Sequence, residues 1–358
     1  MEKINVMVLY GGRSGEHEIS LQSAASVIHA LDKKKYEVLP IGINKEGRWL
    51  AGTAPSEVIS RGFRDDLIPV CLPADPTYKG LIALERERDG KALNLGKKID
   101  VVFPVLHGPF GEDGTVQGLL ELAGIPYIGG GVLGSSLGMD KILMKTVFAQ
   151  HNFPQADYLG FLKSDWLDEQ QKISKRVEGQ IGYPCFIKPA NLGSSVGISK
   201  AGSQKEFIQG VNLAFEYDRK VVIEENIVGR EIEVSVLGND QPKASLPGEI
   251  IPCNEFYDYE AKYLAQGSQL IIPAVLAEEK ILEFQKLAVA VFKAIDCAGM
   301  ARVDFFLRDN GQVLVNEINT IPGFTQISMY PKLWEATGLK YQALLDKLIQ
   351  FAINRHQR

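Results

Sequence analysis

The sequence predicts an α/β protein of two or three packed units that begins with an open parallel α/β sheet. Its 358 residues exceed the roughly 100–200 residues of one ordinary domain. Strand-like and helix-like patterns alternate near the N-terminus, which is typical of an open α/β sheet. Near residue 310, two alternating runs meet at a turn signal, which indicates a β-hairpin.

The elements of the first unit follow from hydrophobic periodicity. We expect strands over 4–10, 37–43 and 100–106 and helices over about 20–31 and 115–123. Residues 44–98 are less regular and contain proline, glycine and charge clusters, so they are interpreted as loops and surface hairpins that elaborate this unit. The unit is expected to end near Gly130.

Asp140 is a suitable N-cap for a helix that ends near residue 150, which puts Lys141 in the first turn. The elements expected after it are strands over 184–189, 221–225, 231–237 and 249–252, a helix from 204 and a helix over about 277–295. The sequence contains no internal repeat.

Composition narrows the class of protein. Hydrophobic residues make up 45% and charged residues 23% of the chain, which are ordinary values for a folded domain. The chain has four cysteines, Cys71, Cys185, Cys253 and Cys297. They lie far apart in the sequence, which does not suggest a zinc knuckle or a disulfide framework. A net charge of −5 provides no general attraction to nucleic acid, and the N-terminus lacks a signal-peptide pattern. We therefore expect a cytoplasmic protein without a nucleic-acid or membrane partner.

The predicted hairpin carries the strongest chemical signal. Asn310-Gly311 favours a two-residue type I′ turn, and counting outward from it places Asp304 opposite Glu317. Arg302 is then opposite Asn319. Because side chains alternate along a strand, all four project from one face.

Two carboxylates and an amide on one face suit Mg²⁺, which takes oxygen ligands from one or two carboxylates and from substrate phosphates. Arg302 is placed to meet developing negative charge. The alternative is a solvated face on which Arg302 and Asp304 form a surface ion pair.

Two glycine-rich segments also permit two interpretations. Lys188 ends a strand shortly before Gly193, and a loop of this kind can fold over phosphates, although it is not a Walker A motif and could be an ordinary turn. In the segment 11–16 the spacing is not that of a dinucleotide-binding loop. Glu16 there suits an ammonium ligand, or it is an ordinary acidic residue in a first helical turn.

Three further groups of polar residues each allow two interpretations. His107 could form hydrogen bonds at a domain cleft or be a satisfied histidine at a strand end. Residues 256–263 are aromatic and polar, as in a lid, or form a surface loop. Glu224, Glu225 and Glu231 could bind a ribose or be solvated.

Six motifs occur along the whole chain in the order found in one enzyme family. They are GGRSGEHEIS, HGPFGEDGTVQG, MDK, KPANLGSSVG, FYDYEAKY, and RVDFF with NEINTIPG. The chain resembles the ATP-grasp enzymes and, more closely, the D-alanine:D-alanine ligases. The resemblance implies three domains, with an α+β fold in the ATP-binding part. Residues 1–130 would bind the first D-alanine, 131–227 would form the central ATP-grasp subdomain, and 228–358 would carry the metal site and the lid.

The resemblance also implies site residues. The ATP-binding set is Lys141, Lys188, Ser195, Glu224, Glu225, Ile227, Glu231 and Lys262. Asp304, Glu317 and Asn319 would hold two Mg²⁺ ions, with Mn²⁺ as a substitute. The catalytic set is Glu16, Ser194, Tyr263 and Arg302, and the substrate-binding set is Glu16, His107, Arg302, Gly323 and Ser328. Tyr263 is the family's candidate base, although a tyrosine with its ordinary pKa near 10 is poorly suited to that role.

The implied activity is ATP-dependent ligation of two D-alanine molecules through an acyl phosphate, for peptidoglycan precursor synthesis, by a homodimer. Ile327 and Glu225 depart from residues found in some members, histidine and lysine respectively. The alternatives are a D-alanyl-D-lactate or D-alanyl-D-serine ligase, another carboxylate–amine ligase, or a non-catalytic nucleotide-binding regulator. Tyr263 argues against the lactate ligase. The GGRSGE and FYDYEAKY segments argue against another carboxylate–amine ligase, and Arg302 with the metal ligands argues against a non-catalytic regulator.

Overall fold

The computed structural model describes residues 2–86, 92–94, 98–193, 196–251 and 269–357, with the backbone alone at 85–86 and 92–94. Within these residues the strands form a seven-stranded, a four-stranded and a six-stranded sheet in chain order. No helix in the described part is long and apolar enough to cross a bilayer.

The first sheet has the strand order β6-β5-β4-β3-β2-β1-β7. Its strands are β1 (Ile4–Gly11), β2 (Tyr36–Ile43), β3 (Trp49–Ala51), β4 (Ile68–Cys71), β5 (Ile82–Arg86), β6 (Ala92–Asn94) and β7 (Val101–Val105), and its helices are α1 (His17–Ala30), α2 (Pro55–Arg61) and α3 (Thr115–Leu122). Among the described strands of this sheet, only the pairs β1–β2 and β1–β7 are parallel. This trio confirms the expected open α/β core.

The segment 44–98 corrects the sequence-based expectation. It contributes hairpins, but its strands β3 to β6 extend the main sheet in antiparallel fashion, and it contains the helix α2. The strands are only three to five residues long. Such short runs give a weak periodicity signal, because they lie at or below the lower end of the roughly four to eight residues over which alternation is recognised.

The second sheet has the order β10-β9-β11-β8 and is antiparallel throughout. Its part of the chain contains α4 (Val132–Met139), α5 (Lys141–Gln150), β8 (Tyr158–Leu162), α6 (Lys163–Gln180), β9 (Cys185–Pro189), β10 (Ser199–Ala201), α7 (Gln204–Ala214) and β11 (Lys220–Glu225). Asp140 caps α5 as predicted, because its side chain accepts hydrogen bonds from the backbone of Ile142 and Leu143. Helices α6 and α7 cover one face of the sheet.

The third sheet has the order β15-β14-β12-β16-β17, with β13 paired to β12. Its elements are β12 (Arg230–Gly238), β13 (Lys243–Ala244), β14 (Gly248–Ile251), β15 (Gln269–Ile271), α8 (Glu278–Ala294), β16 (Gly299–Leu307), β17 (Val313–Asn319), α9 (Met329–Ala336) and α10 (Tyr341–His356). Helices α5 and α8 pack against this sheet in one core.

The C-terminal segment joins the third sheet to the first. Apolar residues of α10, such as Leu344 and Leu348, share a core with Val101 of β7. The ring of Phe324, which follows β17, lies 5.5 Å from the ring of Phe103. This packing holds the end of the hairpin beside the carboxyl end of the first sheet. The domain limits given above remain a prediction.

Candidate active site

The hairpin of β16 and β17 pairs its chemical residues as expected. Arg302 is opposite Asn319, and Asp304 is opposite Glu317. On the other side of β16, Asp304 is opposite Glu233 of β12. Three carboxylates therefore occupy one level of three neighbouring strands.

The predicted type I′ turn is wrong. Arg308 and Gln312 close a three-residue loop, in which Arg308 N donates to Gln312 O at 3.0 Å. Gly311 has φ of +84°, whereas Asn310 has no positive φ. The extra loop residue is offset by a bulge at Asn316, which leaves Phe305 opposite Val315 and restores Asp304 opposite Glu317. The face prediction was right because two deviations cancel.

Arg302 is held by two carboxylates. Its Nε and Nη2 donate to the two oxygens of Asp304, both at 2.7 Å, and Nε lies 3.0 Å from Glu233 Oε2. The side chain of Arg302 is only 7% exposed, so the ion pair is buried and the surface-pair alternative does not apply. A buried guanidinium in this bidentate geometry has a fixed orientation.

The oxygen donors of the hairpin, together with Glu233 on the neighbouring strand β12, suit a hard divalent cation. Glu233, Asp304 and Glu317 carry three negative charges against one positive charge on Arg302, and magnesium is bound through carboxylates and substrate phosphates. Asn319 Oδ1 accepts from Ile321 N at 3.2 Å, which fixes its amide. No group of three or more His, Cys, Asp or Glu side chains is already arranged as a chelate in the described part of the chain. The set fits a cation shared with phosphate oxygens.

A cleft of about 220 Å³ lies between the second and third sheets. Lys188 lines it, and its Nζ donates to Glu224 Oε2 at 2.8 Å. Lys145 Nζ lies 3.4 Å from the other oxygen of Glu224. Burial disfavours ionisation of Glu224, but the ammonium groups of Lys145 and Lys188 outweigh that effect and hold its pKa well below the usual range. Glu224 is therefore a fixed anion in the cleft wall.

Lys141 lies where the cleft meets the glycine-rich segment. Its Nζ donates to the backbone carbonyl of Leu192 at 2.7 Å, and both residues line the cleft with Gly193. The capping of α5 by Asp140 sets this position, since Lys141 is the first residue of the helix. The structure therefore brings Lys141 and Lys188 into one cleft with Glu317.

Three more of the predicted nucleotide residues line the same cleft. They are Glu225, Ile227 and Glu231. Glu225, which stands where some family members have lysine, forms an ion pair with Arg308 at the end of the hairpin. This pair connects the end of β11 in the second sheet with the residue that follows β16 in the third.

Glu16 lies in a second, smaller cavity of about 50 Å³. It precedes α1, and close approach of two glycines gives it room: a Cβ on Gly108 would lie 2.7 Å from Glu16 Oε2, and a Cβ on Gly193 3.0 Å. Glu317 and Asn319 also line this cavity. The predicted ammonium ligand Glu16 and the predicted metal ligands Glu317 and Asn319 therefore line one cavity.

His107 connects the first sheet to the segment after the hairpin. Its Nδ1 lies 2.9 Å from Ile321 O and its Nε2 3.3 Å from Ser23 Oγ. It is buried but is not among the described residues that line the Glu16 cavity. The geometry agrees with both interpretations, a hydrogen-bonding histidine between domains and a satisfied histidine just after the end of β7.

Gly323 and Ser328 lie together. Ser328 Oγ accepts from Thr325 N at 3.0 Å, and a Cβ on Gly323 would lie 2.9 Å from Ser328 Oγ. Neither residue is among the described linings of the cleft or the Glu16 cavity. Ser194, Ser195, Lys262 and Tyr263 lie outside the described residues.

Two residues of the site were missed by sequence reasoning, Lys145 and Glu233. Spacing could have indicated both. Lys145 is four residues after Lys141 and so on the same helical face, and Glu233 is two residues after Glu231 on the same strand face.

Comparisons with known proteins find relatives over the whole chain. The family model described as D-ala D-ala ligase N-terminus matches residues 5–130, and the one described as D-ala D-ala ligase C-terminus matches residues 147–350. A D-alanine–D-alanine ligase of Natranaerobius thermophilus is 52% identical over 100% of this chain and 97% of its own length. One of Bacillus licheniformis is 49% identical over 99% of this chain and 97% of its own length.

Solved structures give the same result. The D-alanine-D-alanine ligase of Coxiella burnetii is 40% identical, with a TM-score of 0.84 over 100% of this chain and 96% of that one. The VanG D-Ala:D-Ser ligase of Enterococcus faecalis is 37% identical, with a TM-score of 0.87 over 98% and 100%. The chain belongs to the D-alanine–D-alanine ligase family of ATP-dependent ligases.

Proposed function

We propose that the protein joins two D-alanine molecules into D-alanyl-D-alanine and converts ATP to ADP and phosphate. The observation that carries this proposal is a shared wall. Lys141, Gly193 and Glu317 line both the cleft of Lys188 and the cavity of Glu16. A phosphate held by the lysines would therefore lie beside an amino acid held by Glu16.

In the first step, a carboxylate oxygen of D-alanine attacks the γ-phosphorus of ATP and ADP leaves, which gives an acyl phosphate. Glu16 binds the ammonium of that D-alanine, while Lys141 and Lys188 bind the phosphates. Arg302, fixed by Asp304 and Glu233, faces the negative charge of the transferring group. Preorganised cations of this kind lower the barrier because they need no reorientation.

In the second step, the amine of the second D-alanine attacks the acyl carbon and the carbon–oxygen bond to phosphate breaks. The ammonium of this D-alanine first loses one proton to become the attacking amine, and the amine loses a second as the peptide bond forms. One of these protons leaves on the phosphate and the other passes to solvent. Ser328 and the backbone near Gly323 bind the second carboxylate. Tyr263 and Ser194 keep their predicted roles beside Glu16, and Ser195 and Lys262 theirs at the phosphates.

The nucleotide would lie in the cleft, with adenine near Glu224, Glu225 and Ile227 and the ribose at Glu231. Asp304, Glu317 and Asn319 would hold two Mg²⁺ ions, or Mn²⁺ in their place. When bound, such ions neutralise phosphate charge and orient the reacting oxygens. The acidic face of the hairpin supports this assignment, because it carries more negative than positive charge.

Oxygen transfer tests the mechanism. D-alanine with ¹⁸O in its carboxylate should release phosphate that carries one ¹⁸O atom per turnover, because the oxygen that attacks phosphorus leaves with phosphate. Mass spectrometry of the phosphate measures this. Phosphate without the label would exclude the acyl phosphate and the proposal with it.

A D-alanyl-D-serine product is the second candidate, and the likeness to the VanG D-Ala:D-Ser ligase favours it. An assay with equal D-alanine and D-serine distinguishes the two by product mass. D-alanyl-D-alanine as the main dipeptide supports the first proposal, and D-alanyl-D-serine supports the second.

A homodimer in the cytoplasm remains a prediction. Light scattering of the purified protein at micromolar concentration measures the assembly directly. A mass twice that of the 39.5 kDa chain is expected, and a mass equal to one chain would contradict the homodimer.

A further inference from the structure

Helix α5 carries a buried lysine one turn beyond Lys141. The side chain of Lys145 is 0% exposed, and its ammonium lies 3.4 Å from Glu224 Oε1. It also lies 5.7 Å from the ring centre of Tyr158. Among the described residues its Nζ has no hydrogen-bond partner. Lys145 is not among the described residues that line the cleft, so it would act on a nucleotide there only through Glu224.

Burial lowers the pKa of Lys145, although the carboxylate of Glu224 opposes this effect. A buried ammonium therefore depends on a counter-charge. Glu224 supplies that charge, and its side chain is only 5% exposed. The two oxygens of Glu224 face different cations. Oε1 faces Lys145 behind the wall of the cleft, and Oε2 accepts from Lys188 at 2.8 Å inside it.

We propose that Lys145 is a positioning residue for nucleotide selection, which keeps Glu224 ionised and in place to accept the 6-amino group of adenine. This inference rests on the proposed function, in which Lys188 binds phosphate. Once Lys188 turns to phosphate, Oε2 becomes available to the base. Lys145 is then the cation that stays on Glu224.

The charge of Glu224 decides which base is accepted. An ionised carboxylate can only accept hydrogen bonds, so it pairs with an amino group and repels a carbonyl oxygen. Without Lys145, a buried carboxyl that has lost Lys188 would take up a proton, because burial disfavours the charged form. A protonated carboxyl donates a hydrogen bond and tolerates a 6-oxo base.

Binding of ADP and of inosine diphosphate, which has an oxygen in place of the 6-amino group, tests the proposal. Calorimetry with Mg²⁺ present gives both dissociation constants. The wild type should prefer ADP by about 100-fold, since inosine diphosphate would leave the buried carboxylate of Glu224 without the amino group that it accepts from. Lys145→Met should reduce that preference by about 10-fold.

Two further variants separate positioning from folding. Glu224→Gln should lose the preference by itself, and adding Lys145→Met to it should change the ratio no further, because both act through one group. Lys220→Met is the matched control. Lys220 is a partly buried lysine of β11 that pairs with Asp140, and its loss should leave the ratio at the wild-type value.

The double variant also serves if Lys145→Met alone does not fold, because it removes both charges together. A wild-type ratio in Lys145→Met would overturn the inference, and so would a double variant whose ratio differs from that of Glu224→Gln alone. Failure of the proposed function would give a different result from failure of this inference. The wild type would then discriminate ADP from inosine diphosphate but release no ADP in response to D-alanine.

Discussion

The ammonium of Lys188 lies 2.8 Å from a carboxylate oxygen of Glu224, across the neighbouring strands β9 and β11. The pair connects the residue assigned to phosphate with the residue assigned to adenine. Burial lowers the pKa of Lys188, but Glu224 and Glu317 outweigh this effect and raise it. Lys188 is therefore a permanent cation in the cleft at neutral pH.

Lys188→Met should reduce ADP formation by about 10²- to 10³-fold, because one charge-assisted contact to the transferring group contributes about 2.7–4 kcal/mol. Steady-state rates at varied ATP measure the loss. Lys200→Met is the control, since Lys200 is an exposed lysine on the neighbouring strand β10. Equal rates in the two variants would contradict the role of Lys188.

Glu317→Gln keeps the shape of the side chain but removes a metal ligand. Activity should fall by two orders of magnitude or more, because bound metal contributes several kcal/mol, and the Mg²⁺ concentration for half-maximal rate should rise. Asp309→Asn, at the exposed turn of the same hairpin, should leave both unchanged. An unaltered Mg²⁺ dependence in Glu317→Gln would remove the metal site from the hairpin.

Asp140→Ala removes the N-cap of α5 and the partner of Lys220. The free energy of unfolding should fall by about 1–2 kcal/mol, and KM for ATP should rise several-fold because Lys141 loses its fixed position. Ser203→Ala removes the cap of α7, which lies away from the cleft. It should cost about 1 kcal/mol with an unchanged KM. Denaturant unfolding and initial rates report the two effects separately.

The stability effect of Glu224 should depend on pH. Burial raises the pKa of Glu224, but Lys145 and Lys188 lower it further, from 4.5 to about 2. A depressed pKa adds stability above the unfolded value that is lost as pH falls toward the folded one. The difference in unfolding free energy between wild type and Glu224→Gln should be about 1–3 kcal/mol at pH 7 and should shrink below pH 4.5. Denaturant curves at pH 7, 5 and 4 check it, and a difference that grows on acidification would contradict the sign.

Sequence patterns predicted the faces of the hairpin better than its path. Alternation placed Asp304 and Glu317 together, because burial of one strand face fixes the register. The loop of three residues and the bulge at Asn316 were not predicted. Both are local choices that the preference of Asn310-Gly311 for a type I′ turn does not determine.

Non-local packing explains most of what the sequence did not predict. Helix α10 was not predicted, although its Leu344 and Ile349 fill the core of a sheet more than two hundred residues earlier in the chain. Periodicity reports which face is apolar, not which surface covers it. Lys145 was missed for a related reason, since a lysine in an amphipathic helix is ordinarily exposed.

The most direct test of the proposed function is ADP release by the purified protein with ATP and Mg²⁺, compared between D-alanine and L-alanine, with the product identified by mass. The expected result is release that depends on D-alanine, with D-alanyl-D-alanine as the dipeptide and no response to L-alanine. Release that is the same with either amino acid or with none would contradict the proposed function.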